Sequence, residues 1–156
     1  ALPIWAAGDS APKKLGVVIV DHGSRRAASN DLLLDFVQVY QGATGREIVE
    51  PAHMELAEPS IADAFTRCVE RGAEVVAVTP YFLSPGRHWN SDIPRLAAEA
   101  AAAHPGVKHI VSAPIGVHAL VAQVLEERLQ HCLEHAEGRA EPCSMCAGDP
   151  TRCRLE

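Results

Sequence analysis

The chain has 156 residues, which is enough for one domain with a hydrophobic core and too few for two domains of ordinary size. Hydrophobic residues make up 47% and charged residues 22% of the chain, a composition that excludes a disordered or fibrous protein. The formal net charge of -6 argues against nucleic acid or an anionic membrane as a partner, and no apolar run approaches the roughly 20 residues that span a bilayer.

The first part of the chain predicts a leader, a strand and a helix. Residues 1–14 mix Pro, Gly, Ser and Ala without periodicity, which is typical of a flexible leader. Residues 15–20 form a continuous apolar run, as expected of a strand buried on both faces. From Ser29 onward apolar residues recur at helical spacing, and the glycines within residues 42–45 predict the end of this helix.

The next segment predicts a second strand and a second helix. Residues 47–55 give a weak strand pattern, because Pro51 cannot donate a ladder hydrogen bond, and an edge position would tolerate it. Ser60 and Asp63 predict a capped helix start, and Gly72 predicts its end.

The remaining elements repeat this alternation. Residues 74–80 predict a third strand and residues 81–90 a long loop, after which Ser91 is expected to cap a third helix. Residues 108–112 predict a fourth strand, and a fourth helix follows, with apolar positions from residue 120 to residue 132.

Strands that alternate with helices predict an α/β three-layer domain, with a four-stranded parallel sheet in the order 2-1-3-4 and helices on both faces. We place this domain at residues 15–137, between the leader and a cysteine-rich tail at residues 138–156. So narrow a sheet leaves a face or an edge that a second copy of the chain could cover in a homodimer.

Chemically active side chains follow three of the predicted strands. The first strand is followed by His22, the second ends near His53 and Glu55, and the third leads to His88. Ligands of doubly wound sheets bind beyond the carboxyl ends of the strands, where strand order reverses, so His22 and His88 are expected to face each other across a cleft. Two imidazoles and a carboxylate suit a divalent metal such as Fe²⁺, although a single histidine is more often an ordinary loop or core residue.

The same edge of the sheet carries a group of arginines. Arg25, Arg26 and Arg87 lie beside the two histidines in an otherwise acidic chain, which indicates a ligand with carboxylates, solvated loop charge being the alternative. Ser24 and Gly86 belong to the same expected substrate-binding loops, and a glycine there lets a large ligand approach the backbone.

Three spaced motifs resemble those of a known family. They are Asp-His-Gly-Ser-Arg at residues 21–25, Glu-Leu-Ala-Glu-Pro-Ser-Ile at 55–61, and a longer segment at 80–94 that contains Pro-Tyr-Phe-Leu, Gly-Arg-His and Asp-Ile-Pro. In this order they resemble the small single-domain class II tetrapyrrole chelatases over about residues 15–135. With the cysteine-rich tail, the plant and algal sirohydrochlorin ferrochelatases are the most similar members.

The resemblance implies a function for each of these residues. The expected reaction is ATP-independent insertion of Fe²⁺, as substrate, into sirohydrochlorin, which gives sirohaem and releases two protons. His22 and His88 are expected to hold and deliver the metal, and one of them or Glu55 to accept protons. The resemblance also implies a homodimer and a location in the chloroplast stroma; without it, the cytoplasm would be expected.

The tail carries a separate cysteine pattern. Cys143 and Cys146 form a C-x-x-C motif, Cys153 adds a third thiol, and Cys132 or a partner subunit could supply a fourth. Zinc, a [2Fe-2S] cluster or a disulfide would each fit these residues, and the resemblance implies the [2Fe-2S] cluster. Cys68 lies on the apolar face of the second helix and is expected to be a core residue.

Two other functions remain open at this point. A related chelatase could insert cobalt or nickel, because affinity for these ions depends more on the metal than on such a ligand set. A metal or tetrapyrrole carrier without catalytic activity would show the same residues.

Overall fold

The computed structural model describes residues 14–84, 86–146, 149, 151–152 and 154–155, so the predicted leader lies outside the described residues except for Lys14. The elements are β1 (Leu15–Asp21), α1 (Ala27–Thr44), β2 (Val49–His53), α2 (Ile61–Glu70), β3 (Val75–Pro80), a π-helical turn (His88–Asp92), α3 (Ile93–Ala102), β4 (Lys108–Val111) and α4 (Ala119–Ala136). By their contacts they form two compact units, one ending at Gly116 and the other beginning at Val117.

The sheet of the first unit confirms the predicted strand order. Its four strands lie in the order β2-β1-β3-β4, and every neighbouring pair is parallel. The apolar run predicted as the first strand is the central strand β1, where Val18 and Val20 are fully buried. Pro51 lies on β2 at the edge of the sheet, where one missing donor is tolerated.

Helices pack on both faces of this sheet. On one face, Val18, Val20 and Val76 pack with Phe65 of α2 and Ile93 of α3. On the opposite face, strand residues Val17, Ile19 and Val49 pack with Leu33 and Val37 of α1. Burial of a side chain as large as Phe65 contributes about 1.5–3 kcal/mol, so the two clusters fix the strands whose ends form the site.

Helix α2 begins as the sequence predicts. The Ser60 hydroxyl accepts the Asp63 backbone N–H, and the Asp63 carboxylate accepts the Ser60 backbone N–H, which completes a capping box. After the helix, Gly72 has a φ of 94°, the left-handed conformation that favours glycine.

The predicted cap of the third helix was wrong. Ser91 lies inside the π-helical turn, where its hydroxyl donates to the Arg87 carbonyl and therefore does not cap α3. Because this turn begins at His88, the loop before it is shorter than predicted. Helix α1 begins at Ala27, and the Asn30 side chain reaches back to Ser24, accepting from its N–H and donating to its carbonyl.

The second unit consists of α4 and the described part of the tail. His118 precedes α4, and its Nδ1 accepts the Leu120 backbone N–H. His131 and His135 each form a side-chain hydrogen bond to a tail carbonyl, at Glu141 and Ala140 respectively. Over the described residues, every helix is too short or too polar to cross a bilayer.

Candidate functional site

The turn after β1 places His22 beside the end of β2. Gly23 has a φ of 85°, and a Cβ built on it would lie 2.0 Å from the carbonyl oxygen of Glu55. The Glu55 backbone N–H donates to the His22 carbonyl at 3.2 Å. Only glycine permits this approach, because any other residue would both strain the turn and push the two segments apart.

This close approach brings two predicted site residues together. Nε2 of His22 and Oε1 of Glu55 are 2.8 Å apart, and both side chains are about half-exposed. A contact of this length between an imidazole nitrogen and a carboxylate oxygen is a hydrogen bond. The two atoms of this pair are also metal donors.

The second predicted metal residue, His88, comes from the other side of the switch point. It follows β3 and opens the π-helical turn, a type of irregularity frequent at functional sites. The centroids of the His22 and His88 rings are 5.2 Å apart, with an angle of 69° between the ring planes. The structure thus brings together the two imidazoles that the strand order predicted to face each other.

Asp92 orients the His88 ring. Nδ1 of His88 lies 2.8 Å from Oδ2 of Asp92, one turn later in the same π-helix. This hydrogen bond from His88 holds the pKa of the Asp92 carboxyl below its usual range, and the positive charge of Arg87 acts in the same direction. With Nδ1–H donating to Asp92, Nε2 of His88 keeps its lone pair for a ligand.

The two histidines line a cavity with largely apolar walls. It has a volume of about 380 Å³, and its other lining residues are Tyr81, Phe82, Leu83, Ser84, Gly86 and Trp89. Leu83 is 63% exposed there, and the Trp89 indole N–H donates to the Ser112 carbonyl. An apolar pocket with a few polar groups at one end is typical of a small-molecule site.

The predicted substrate-binding residues are close to the two histidines along the chain. The Ser24 hydroxyl accepts the Arg26 backbone N–H, so it also shapes the start of α1. Arg25 and Arg26 are exposed. Arg87 is 86% exposed and lies 3.9 Å from Asp92, so its guanidinium remains accessible to a ligand.

No preformed metal cage is present in the part of the chain that the structure describes. There, no group of three or more histidine, cysteine or acidic side chains is arranged to hold a metal ion. His22, Glu55 and His88 are each about half-exposed, so an ion can reach their donor atoms from solvent. Such an arrangement suits transient binding more than permanent retention.

Sequence reasoning missed Asp21 and Asp92 and left His53 without a role. His53 points into the protein, where it is buried and bonded to Asp21. Asp92 could have been found from its spacing, because residues four positions apart face each other on a helix. That signal was lost because residues 81–90 were predicted to be a loop.

Only part of the cysteine pattern falls on described residues. Cys143 and Cys146 form one turn, in which the Cys146 N–H donates to the Cys143 carbonyl at 3.1 Å. Hydrogen bonds from the Cys146 thiol and from the backbone N–H groups of Cys146 and Met145 lower the pKa of the Cys143 thiol. Cys132 lies on α4, whereas Cys153 lies outside the described residues. Burial raises the pKa of Cys68 to about 12, consistent with a core residue.

Two curated proteins show how far the similarity extends. The chain is 54% identical over 140 residues to a chloroplastic sirohydrochlorin ferrochelatase of Arabidopsis thaliana, which covers 90% of this chain and 62% of that protein. It is 34% identical over 126 residues to a sirohydrochlorin cobaltochelatase of Priestia megaterium, covering 80% of this chain and 40% of that protein. The chain thus spans less than two thirds of the length of both relatives.

Solved structures and a family model agree with this similarity. A cobalamin biosynthesis CbiX protein from Marinobacter aquaeolei VT8 matches with a TM-score of 0.67 and 28% identity, over 78% of this chain and 98% of that chain. The sirohydrochlorin chelatase SirB from Bacillus subtilis subspecies spizizenii, in complex with cobalt, matches with a TM-score of 0.70 and 30% identity, over 75% of this chain and 50% of that chain. The CbiX family model matches residues 16–132. By sequence and by fold, this chain belongs to the CbiX family.

Proposed function

We propose that this chain inserts Fe²⁺ into sirohydrochlorin, giving sirohaem without ATP. The observation that carries the proposal is the pair of imidazoles, His22 and His88, whose rings lie 5.2 Å apart and line an apolar cavity. The name of the Arabidopsis relative supports the choice of reaction and of metal.

The reaction requires a metal donor and two proton acceptors. Fe²⁺ replaces the protons of two pyrrole N–H groups, and both protons must leave the macrocycle. Nε2 of His22, a carboxylate oxygen of Glu55 and Nε2 of His88 are the atoms that would hold Fe²⁺ first.

Glu55 and His22 are suited to receive protons as the metal departs. Their Nε2 and Oε1 atoms form a hydrogen bond of 2.8 Å. Metal and proton therefore compete for the same two atoms, so transfer of Fe²⁺ to the macrocycle frees them to accept a pyrrole proton. His88 would serve as the second acceptor through Nε2, because its Nδ1 is already bonded to Asp92.

The loops around the cavity would bind the macrocycle. Exposed apolar side chains such as Leu83 offer contact to its flat face, and Gly86, which also lines the cavity, lets a large ligand approach the backbone. The guanidinium groups of Arg25, Arg26 and Arg87 would pair with the peripheral carboxylates of sirohydrochlorin.

Cobalt or nickel insertion is the second candidate. The Priestia megaterium relative is a cobaltochelatase, and the Bacillus subtilis structure contains cobalt. The nitrogen and oxygen donors of this site bind all three ions, with affinities set mainly by the metal.

A single assay separates these functions. The protein is mixed anaerobically with sirohydrochlorin and either Fe²⁺, Co²⁺ or Ni²⁺, and the absorption spectrum of the macrocycle is followed. We expect metallation, fastest with Fe²⁺. A shift on binding without metallation would instead indicate a carrier.

Substitutions then test the residues. His22→Ala and His88→Ala should each slow insertion at least 100-fold while the circular dichroism spectrum is unchanged. His109→Ala is a matched control, because His109 is exposed on β4 and contacts Phe65 rather than the cavity. Normal turnover in the double variant of His22 and His88 would contradict the proposed site.

We also propose that the tail carries a [2Fe-2S] cluster. The described residues Cys143 and Cys146 supply two thiols in one turn, and a lowered pKa favours the thiolate form of Cys143 that ligates iron. Cys153 and Cys132 would complete the four ligands that such a cluster needs. A bound cluster supplies redox sensitivity, and metal insertion itself requires no electron. Visible absorption with iron and zinc analysis after anaerobic purification distinguishes the cluster from zinc or a disulfide.

A homodimer in the chloroplast stroma completes the proposal. Ile110 on the edge strand β4 is 57% exposed, and Val39 on α1 is 66% exposed, which leaves apolar surface for a second copy. The chloroplastic Arabidopsis relative supports the location. Light scattering of the purified protein tests the dimer, and imaging of a fluorescent fusion of the full-length protein tests the location.

A further inference from the structure

Among the described residues, His53 is the one polar or charged residue that is buried. It is 2% exposed, although an imidazole is costly to remove from water unless its nitrogens are bonded. An apolar side chain would fill this space at lower cost. The position of its bonding partner explains why an imidazole stands there.

That partner is Asp21, the residue directly before His22. Nδ1 of His53 lies 2.6 Å from Oδ1 of Asp21, and the same oxygen accepts the Gly23 backbone N–H at 2.9 Å. A carboxylate oxygen only accepts, so His53 donates. One oxygen atom of the Asp21 side chain thus accepts from both His53 and the Gly23 backbone. His53 is therefore connected to the residues on both sides of His22.

Backbone contacts connect the same two segments. Asp21 and His53 are register partners on β1 and β2, and the Met54 N–H donates to the Asp21 carbonyl at 2.8 Å. A Cβ built on Gly23 would lie 3.1 Å from the His53 Cβ, so the His53 side chain begins next to the turn. Glu55 follows two residues after His53 on the same segment.

We propose that His53 and Asp21 form a clamp that positions His22 against Glu55 for metal binding, an inference that rests on the proposed function of His22 and Glu55. His53 and Asp21 are positioning residues and do not touch the metal. Loss of the clamp lets the Asp21–Gly23 turn move relative to β2, and the metal-binding atoms of His22 and Glu55 then lose their fixed separation.

Co²⁺ titration of the purified chain, followed by visible absorption, tests the clamp without turnover. His53→Leu keeps an apolar side chain of similar size but removes the donor. His53→Asn keeps an N–H on the atom that corresponds to Nδ1. We expect Leu to weaken Co²⁺ binding about 10-fold or more, within the range typical of residues that support metal ligands, and Asn to restore most of the affinity.

Val76→Ala provides the control for general destabilisation, because Val76 is fully buried in the core away from the turn. It should lower the melting temperature and leave Co²⁺ affinity unchanged. The clamp is refuted if His53→Leu binds Co²⁺ as tightly as the original chain, or if Val76→Ala weakens binding equally. A chain that binds Co²⁺ but never metallates sirohydrochlorin contradicts the proposed function instead, and the Co²⁺ affinities then decide the clamp alone.

Discussion

His88 and Asp92 are joined across one turn of the π-helix, with Nδ1 of the imidazole 2.8 Å from a carboxylate oxygen. This bond fixes both the tautomer and the direction of the ring, so Nε2 of His88 is the nitrogen left for a ligand. The sequence spacing of four residues places the pair on one face of the turn, beside the cavity that His22 also lines.

Substitution of Asp92 tests this role. Asp92→Ala should raise the KM for Fe²⁺ by about 10- to 100-fold, because the ring loses its fixed tautomer and orientation. The KM of Asp92→Asn should lie between those of the original chain and of Asp92→Ala, since the amide oxygen of Asn still accepts the Nδ1–H of His88. Steady-state rates at varied Fe²⁺ measure the effect.

Glu99→Ala is the matched control for Asp92→Ala. It breaks another exposed pair at the same spacing, Arg95 with Glu99, without contact to either imidazole. Its KM should equal that of the original chain, and an equal rise in both variants would mean that lost surface charge, not ring orientation, is responsible.

Gly23 provides a second prediction, on the close approach between the turn and β2. In Gly23→Ala the new Cβ would lie 2.0 Å from the Glu55 carbonyl oxygen, at a φ of 85°. Either the turn or the end of β2 must move, so the His22–Glu55 contact should break and insertion should fall at least 100-fold. Urea unfolding should show a loss of more than about 1 kcal/mol.

Gly45→Ala separates backbone strain from the steric clash. Gly45 has a comparable φ of 69°, but a Cβ there would meet nothing within 4 Å. This variant should lose only about 1 kcal/mol and keep its full rate of insertion. Full activity in Gly23→Ala would show that the close approach is not needed for the site.

The sequence predicts those features of the site that follow from the order and the direction of the strands. The apolar run of β1 and the parallel alternation were enough to expect His22 and His88 at one switch point. The π-helical turn was not foreseen, because no periodic pattern distinguishes its residues from a loop. The inward orientation of His53 was missed for a similar reason, since a short edge strand with Pro51 shows no clear alternation.

The capping box of α2 gives a prediction about pH. Hydrogen bonds from the Ser60 side chain and then its backbone hold the pKa of Asp63 below its usual range. A carboxyl group with a lowered pKa stabilises the folded state above its unfolded pKa, near 4, and loses that contribution as the pH falls through the folded value. Asp63→Ala should therefore lower the free energy of unfolding by about 1 kcal/mol at pH 7.

Urea unfolding of both proteins from pH 7 down to pH 3 measures this difference. It should shrink steadily below about pH 4, because the original chain then loses the bonds that the variant already lacks. Asp31→Ala on α1 serves as the control, since Asp31 is an exposed aspartate that lies beyond the first turn of its helix. A gap for Asp63→Ala that stays constant down to pH 3 would contradict the role of its ionised form.

Arg25 tests whether the charged rim binds substrate carboxylates. Arg25→Ala should raise the KM for sirohydrochlorin about 10-fold with little change in kcat, because a charge-assisted hydrogen bond to a carboxylate is lost without disturbing the metal-binding atoms. The effect should weaken as salt screens the exposed charges. Arg46→Ala removes the same charge between α1 and β2. Arg46 lies where β2 begins, whereas Arg25 follows the carboxyl end of β1. If both substitutions change KM equally, the net charge of the protein attracts the substrate. If only Arg25→Ala does so, the substrate carboxylates bind at the carboxyl ends of the strands, where His22 lies.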